Sequence, residues 1–362
     1  MHPDPKQHAA RRDRLRALLR REHLSSLLVS RAANRYYLSG FELHNPQENE
    51  SAGMLLVTVD GADLLFTDPR YRDSALRLWP EADLRIYRGN APEVIGTTVS
   101  SLGAGVLGLE AQGISLEFFD HCAASLSALV EIRRTRDLVE QMRLVKAQDE
   151  LERIRAACAL NHAMMAWLPS VALPGRTEAQ VAWDIEKFFR ERGASELAFA
   201  TIVGSGRNAA LPHCIPGGDP LRQDDLVLVD AGCRVQDYCA DQTRTLWLGK
   251  NVSARFRDTL QAVQEAQRLA IALIRPGAAC REIFAAAWDH FAQLGVEDSF
   301  THGLGHGIGL ETHEGPSLNQ MSSQTLEPGM VVTVEPGLYD PAWGGVRWER
   351  MVVVAEDGNR VL

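Results

Sequence analysis

The chain has 362 residues, with 38 Lys and Arg against 47 Asp and Glu, a formal net charge of −9, and 45% hydrophobic and 23% charged residues. That length exceeds what one hydrophobic core usually spans, so two domains are expected, and the ordinary composition excludes disordered, collagen-like and disulfide-rich classes. The acidic balance argues against nucleic acid or an anionic membrane as partner, since both call for a basic face.

The first segment, MHPDPKQHAARRDRLRALLRREHL, is crowded with Arg and lacks the apolar core of roughly 7 to 15 residues that a secretory signal carries, so no export is expected. No stretch approaches the ~20 apolar residues of a membrane-spanning helix, which predicts a soluble protein with no membrane partner. Cys122, Cys158, Cys214, Cys233, Cys239 and Cys280 form no Cys-x-x-Cys pair. In a chain this long they read as reduced thiols, which points to the cytoplasm.

Short apolar runs then alternate with helical stretches: LLV near Leu27, GMLLVTV near Met54, DLLFTD near Leu64 and GVLGLE near Val106. This is an α/β pattern. From Thr135 the run TRDLVEQMRLVKAQDELERIRAACALNHAMMAWL predicts one long amphipathic helix, with Leu138, Met142, Val145 and Leu151 at helical spacing. The domain boundary is placed just before it, giving 1–134 and 135–362.

The second part echoes itself. Pro174-Gly175 precedes a helix that opens on a capping box, Thr177 to Gln180, and stops at Gly193; Pro276-Gly277 precedes another that stops at Gly295. Each copy is followed by an apolar strand ending in an acid and a glycine, Asp230 in DLVLVDAG and Glu335 in GMVVTVEPG. Two related halves that each deliver an acid to a shared centre would produce this repetition.

Asp241, in ADQTRTLWLG, follows Asp230 closely enough for two antiparallel strands to bring both carboxylates to one site. HGLGHGIGLETH then sets His302, His306 and His313 among glycines, and Glu335 and Glu349 follow on strand-like segments. Four carboxylates and an imidazole cannot converge without cations, because like charges out of water repel and force protonation. Two divalent ions neutralise them, and oxygen-rich ligation with one histidine suits Mn, Co or Zn. Such a pair, ~3.5 to 4 Å apart, activates water and polarises a scissile carbonyl, so hydrolysis is the reaction class.

These motifs resemble the creatinase, aminopeptidase P and prolidase group of metallopeptidases. VDAG, YCADQTRT, HGLGHGIGLETHEGP, TVEPGLY and GGVRWE follow that group's order through most of the second part, and NRYYLSGF and TDPRY resemble its N-terminal domain. The resemblance implies an α/β creatinase-like N-terminal domain and an α+β pita-bread catalytic domain with an internal pseudo-twofold repeat. It implies Asp230 on one metal, His306 and Glu335 on the other, and Asp241 and Glu349 bridging. It assigns His213, His302, His313 and Arg347 to substrate binding, proton transfer or support of the tetrahedral intermediate. Manganese is the first choice of metal, and a homodimer is expected. The implied activity is removal of an N-terminal residue in front of proline, with aminopeptidase set slightly ahead of strict dipeptidase.

Three departures bear on this expectation. Ser317 stands where prolidases of the group hold a dipeptide's carboxylate with an arginine, which weakens the case for a strict dipeptidase and leaves room for longer peptides. The segment Phe41 to Gly53 is long and polar, and either reaches toward an active site or stays a solvated loop. Arg350 follows Glu349 where an acid is common. Two other classes stay open at this level: a hydrolase or lyase acting on a small non-peptide substrate, and a catalytically inactive peptide-binding module.

Overall fold

The computed structural model describes residues 5–47, 50–103 and 105–362. Residues 1–4 of the Arg-rich start, and Glu48 and Asn49 of the long polar segment, lie outside the described residues. Contacts divide the chain into two compact units, Met1–Met142 and Arg143–Leu362, where the sequence placed the boundary at 134/135.

In the first unit six strands form one sheet: β1 (Ser26–Val29), β2 (Met54–Thr58), β3 (Asp63–Thr67), β4 (Leu84–Ile86), β5 (Gly105–Glu110) and β6 (Val130–Thr135), in the order β4-β3-β2-β1-β5-β6. β1 pairs antiparallel with β2 and parallel with β5. The apolar runs supply a core that includes Leu28, Leu56, Phe66, Leu107 and Leu109. Two arginines of α1 (Pro5–Arg21) dock that helix on the sheet: Arg12 Nε and Arg16 Nη2 both donate to Asp63, and Arg16 Nε donates to the Thr58 carbonyl. The long polar segment is held at its base by Arg35 of α2 (Ala32–Ser39). This fully buried guanidinium donates to the carbonyls of Phe41, Glu42 and Gly53. Helices α3 (Arg72–Leu76), α4 (Ala91–Ser101) and α5 (Leu116–Ser125) complete the unit, with Ile95 and Cys122 in its core.

The single long helix expected after Thr135 is two helices, α6 (Leu138–Leu144) and α7 (Gln148–Trp167). The break has a clear cause. Val145 bridges Met330, Lys146 N–H donates to Gly329 O, and the nearly inaccessible Lys146 ammonium reaches Glu314 at 3.2 Å. An ion pair and a strand bridge at this point outweigh the helical periodicity.

In the second unit, β7 (Glu196–Leu197), β10 (Cys233–Val235) and β11 (Tyr238–Cys239) form a small sheet, and β8 (Ile202–Ser205), β9 (Asp225–Ala231) and β12 (Gln242–Leu248) form another in the order β12-β9-β8. A larger sheet, β14-β13-β15-β18-β19, takes β13 (Gly305–Gly307), β14 (Glu314–Leu318), β15 (Val331–Val334), β18 (Arg350–Ala355) and β19 (Gly358–Val361), and β16 (Gly337–Asp340) pairs with β17 (Gly344–Arg347). Helices α8 (Glu178–Glu191), α9 (Ala254–Leu273) and α10 (Cys280–Gln293) complete it, with α9 and α10 contributing Val263, Ile283 and Phe291 to the core.

The internal echo is visible in matching backbone hydrogen bonds. Gly175 N–H donates to Leu221 O and Leu221 N–H returns to Arg176 O; Gly277 N–H donates to Leu326 O and Leu326 N–H returns to Ala278 O. Thr177 bridges Pro220 as Ala279 bridges Thr325. Leu326 lies as far beyond Leu221 in sequence as Glu335 lies beyond Asp230, so the same turn lock precedes each acid-bearing strand. Gly175 and Gly277 sit at φ of 90° and 80°, a region that favours glycine. Among the described residues no helix is long and apolar enough to cross a membrane.

Candidate active site

Every candidate catalytic or metal-binding side chain belongs to the second unit, and its strands and their connecting loops bring them together. On β9, Leu226, Leu228 and Asp230 share a face by the two-residue period; the first two enter the core and the third ends the row as an acid. Thr243 of β12 lies directly opposite Asp230, and Asp241 stands at the entry to β12. The strands are joined through β10 and β11, whose two-residue turn places Gln236 and Asp237 at positive φ, as a tight hairpin requires. Glu335 follows β15 directly, Glu349 lies between β17 and β18, and His306 occupies the middle of β13 opposite Ser317.

Asp241, His306 and Glu349 offer ligand atoms that all lie within 4.8 Å of one another. His306 Nε2 is 3.7 Å from Asp241 Oδ2 and 3.3 Å from Glu335 Oε1. Asp230, Asp241, His306 and Glu335 line one cavity of about 530 Å³, together with His213, His302, His313, Arg347 and Ser317. Glu349 is buried just behind it, at 1% exposure.

Hydrogen bonds orient three of the four acids and leave one oxygen of Asp230 and of Glu349 free. Arg347 Nη2 donates to Asp230 Oδ2 at 2.6 Å, Thr243 Oγ1 donates to Glu349 Oε2 at 2.8 Å, and Thr333 Oγ1 donates to Glu335 Oε1 at 3.2 Å. No donor reaches the buried Asp230 Oδ1, Asp241 Oδ1 or Glu349 Oε1. On His306, Nδ1 meets Gly307 O at 2.9 Å, which aims Nε2 at the acids. His313 sits edge-on to His306, with ring centroids 4.4 Å apart.

The electrostatics reflect the crowding. Burial, then Glu349, Asp230 and Glu335, push Asp241 well above the ordinary carboxyl range; burial, then Glu335 and Asp230, do the same to Glu349. His306 is raised to about 9: burial opposes its charge, and Glu335 at hydrogen-bonding range overrides it. Reciprocally, burial lifts Glu335 but His306 holds it down at about 2.

The chain carries a match to the metallopeptidase family M24 over residues 152–356 and to the creatinase/prolidase N-terminal domain over residues 11–145. The chain belongs to metallopeptidase family M24. A relative in Bacillus subtilis, the uncharacterized peptidase YqhT, is 34% identical over 97% of this chain and 96% of its own. The solved Xaa-Pro dipeptidase from Bacillus anthracis superposes with a TM-score of 0.90 at 31% identity, covering 98% of this chain and 97% of that one. The X-Pro aminopeptidase from Thermotoga maritima gives 0.86 at 30% identity, covering 97% and 96%. The architecture is therefore the creatinase-like domain followed by the pita-bread domain of M24.

The donor set of this M24 chain fits divalent cations. Three buried carboxylate oxygens without a donor are what a hard cation satisfies, the more so as burial and then neighbouring acids disfavour the charge on Asp241 and Glu349, and the single imidazole adds a borderline ligand. The thiols play no such part: all six are buried and free, and burial pushes Cys214 up to about 11, so its position beside His213 does not make it reactive. Arg350 is exposed, although its neighbour Glu349 is buried.

Three residues of the site escaped the sequence reading. Tyr339, the last letter of TVEPGLY, accepts from Arg347 Nη1 at 2.9 Å, which leaves its hydroxyl hydrogen for His302 Nε2 at 2.8 Å. His302 Nδ1 then meets Gly303 O at 2.7 Å, and burial lowers the pKa of this ring. His302 is thus a neutral ring held by Tyr339. The wholly buried Thr243 and Thr333 are the other two, each serving a carboxylate while accepting a second bond, from Arg347 Nε and from His306 N–H. Thr333 stands two positions before Glu335 and therefore on its face of the strand, a signal that was available.

Proposed function

We propose that this M24 metallo-exopeptidase hydrolyses the bond between an N-terminal residue and a following proline, with two divalent ions held by Asp230, Asp241, His306, Glu335 and Glu349. The observation that carries the reading is the set of buried, donorless oxygens on Asp230, Asp241 and Glu349 around one imidazole. Asp230 would hold one ion and His306 and Glu335 the other, with Asp241 and Glu349 shared between the two; manganese is the first candidate. When bound, such a pair activates water and polarises the scissile carbonyl. The solved relatives named as Xaa-Pro dipeptidase and X-Pro aminopeptidase supply the substrate class.

The residues divide the remaining work. His213 and His313 line the cavity and offer imidazole groups to the substrate carbonyl and to the proton that must reach the leaving nitrogen. Burial, followed by the neighbouring His306, lowers the pKa of His313, so it enters the reaction neutral and able to accept that proton. His302, Tyr339 and Arg347 hold Asp230 in place.

Aminopeptidase action is favoured over strict dipeptidase action. Among the described residues lining the cavity, Arg347 alone carries a permanent positive charge, and its guanidinium is committed to Asp230, Tyr339, Thr243 and the Pro212 carbonyl. Ser317 offers no fork for a dipeptide's carboxylate. The buried thiols accord with a cytoplasmic protein, and a homodimer is the proposed assembly. Xaa-Pro dipeptides, tripeptides and longer peptides assayed with Mn, Co and Zn test the reading. Cleavage that disappears with chelator and in Asp241→Ala is expected; cleavage that survives both refutes it.

A further inference from the structure

The wall of the cavity that carries His213 is an exposed excursion, fastened at both ends by one buried acid. Glu178, the first residue of α8, has 0% exposure. Its Oε1 accepts from Ser205 N–H at 2.8 Å, Ser205 Oγ at 3.0 Å and Asn208 Nδ2 at 3.0 Å, and its Oε2 accepts from Gly217 N–H at 3.2 Å. Main-chain bonds strengthen the far anchor, Ala179 N–H to Gly217 O and Glu178 N–H to Asp219 O. Between the anchors the chain runs out to Ile215, 88% exposed, and back, placing Pro212, His213, Ile215 and Pro216 on the cavity. It is linked to Asp230 through Arg347, whose Nη1 donates to the Pro212 carbonyl at 3.3 Å and whose Nη2 donates to Asp230.

The turn itself does not demand an acid. In the second half of the internal repeat the equivalent position is Cys280, whose thiol is packed in the core. An ionisable group buried with four donors around it, present in one half only, serves what that half alone carries: the excursion with His213. Ala209 and Cys214 already tie the segment to the core, and a carboxylate that satisfies donors at both of its ends adds the hold that the exposed stretch around His213 and Ile215 lacks.

We propose that Glu178 is a positioning residue for the M24 reaction: it closes residues 205–217 into a fixed wall, keeps His213 on the cavity, and makes Ile215 and Pro216 the apolar face against which the substrate packs. This rests on the Xaa-Pro peptidase reading of the site.

The test uses the full-length, metal-loaded enzyme as wild type, Glu178→Ala, the milder Asn208→Ala, His213→Ala and the double variant Glu178→Ala/His213→Ala. Trypsin cleavage after the exposed Arg207 reports the wall without reference to activity, and kcat and KM on an Xaa-Pro tripeptide report the reaction. In Glu178→Ala, cutting at Arg207 is expected to accelerate about tenfold or more and kcat/KM to fall about 100-fold, with bound metal unchanged; Asn208→Ala moves both readouts the same way by less. The double variant is expected to match His213→Ala within about twofold, because both changes remove the same contribution. Losses that add in full, or kcat/KM unchanged in Glu178→Ala and Asn208→Ala, overturn the proposal. If the wild type cleaves no Xaa-Pro peptide, the functional reading fails on its own; unchanged cutting at Arg207 in both variants then overturns the clasp as well.

Discussion

Arg347 Nη2 lies 2.6 Å from Asp230 Oδ2, a contact between two side chains that are almost wholly inaccessible to solvent. The same guanidinium reaches Tyr339, Thr243 and Pro212, and its backbone N–H and carbonyl are both bonded to Thr245 Oγ1. Arg347 is therefore a fixed bracket that neutralises one oxygen of Asp230 and leaves the other without a donor. Arg347→Ala is expected to lower kcat about 100-fold and to weaken metal retention after dialysis, since removing groups that orient ligands costs roughly 10- to 100-fold. Arg347→Lys keeps the charge without the planar fork and should fall between. Metal analysis with steady-state kinetics checks both, and an unimpaired Arg347→Ala would remove the bracket from the account.

Gly337 is required by Tyr339. A Cβ built on Gly337 would lie 2.5 Å from the Tyr339 hydroxyl, so Gly337→Ala must push that ring away from His302 and Arg347. Overpacking of this kind costs about 1 to 3 kcal/mol. Thermal denaturation should show that loss, and kcat should drop together with it; Tyr339→Phe, which removes the hydroxyl without crowding, should lower kcat with a smaller change in stability.

Ser317 faces the cavity opposite His306 across β13 and β14. Supplying a guanidinium there should convert the preference for peptide length. Ser317→Arg is expected to raise kcat/KM for an Xaa-Pro dipeptide relative to the matching tripeptide by about tenfold or more, through a lower dipeptide KM, because a bidentate carboxylate contact is worth roughly 1.5 to 3 kcal/mol. An unchanged ratio would mean that the free carboxylate is read elsewhere.

Glu314 gives a pH dependence of defined sign. Burial alone would raise it, but Arg143 at Oε1 and Lys146 at Oε2 hold it at about 2 against an ordinary 4.5. A carboxylate depressed in the folded state stabilises above its unfolded pKa, and that contribution is lost as pH falls from about 4.5 to about 2. The shift corresponds to about 3 kcal/mol. Urea unfolding of wild type and Glu314→Gln should therefore differ by several kcal/mol at neutral pH and converge as pH falls through this window; a constant difference would contradict the assignment.

The sequence was most legible where chemistry and period coincide. Asp230 and Glu335 end apolar strands, and the Pro-Gly turns announced the repeat that the paired bonds of Gly175 and Gly277 display. It was least legible where distant residues override a local pattern. The helix through Val145 reads as continuous until Lys146 meets Glu314, more than a hundred positions away, and no window of neighbouring residues contains that partner. Tyr339, Thr243 and Glu178 were missed for a related reason: each acts through a hydrogen bond to a group elsewhere in the chain, and a hydroxyl or a helix-opening acid has no distinctive spacing of its own.

Anomalous X-ray scattering from crystals of the manganese-loaded protein tests the central claim most directly. Two peaks about 3.5 to 4 Å apart are predicted, with Asp241 and Glu349 touching both, Asp230 touching one, and His306 and Glu335 the other. A single peak confined to Asp241, His306 and Glu349, or none among the five residues, would contradict the account.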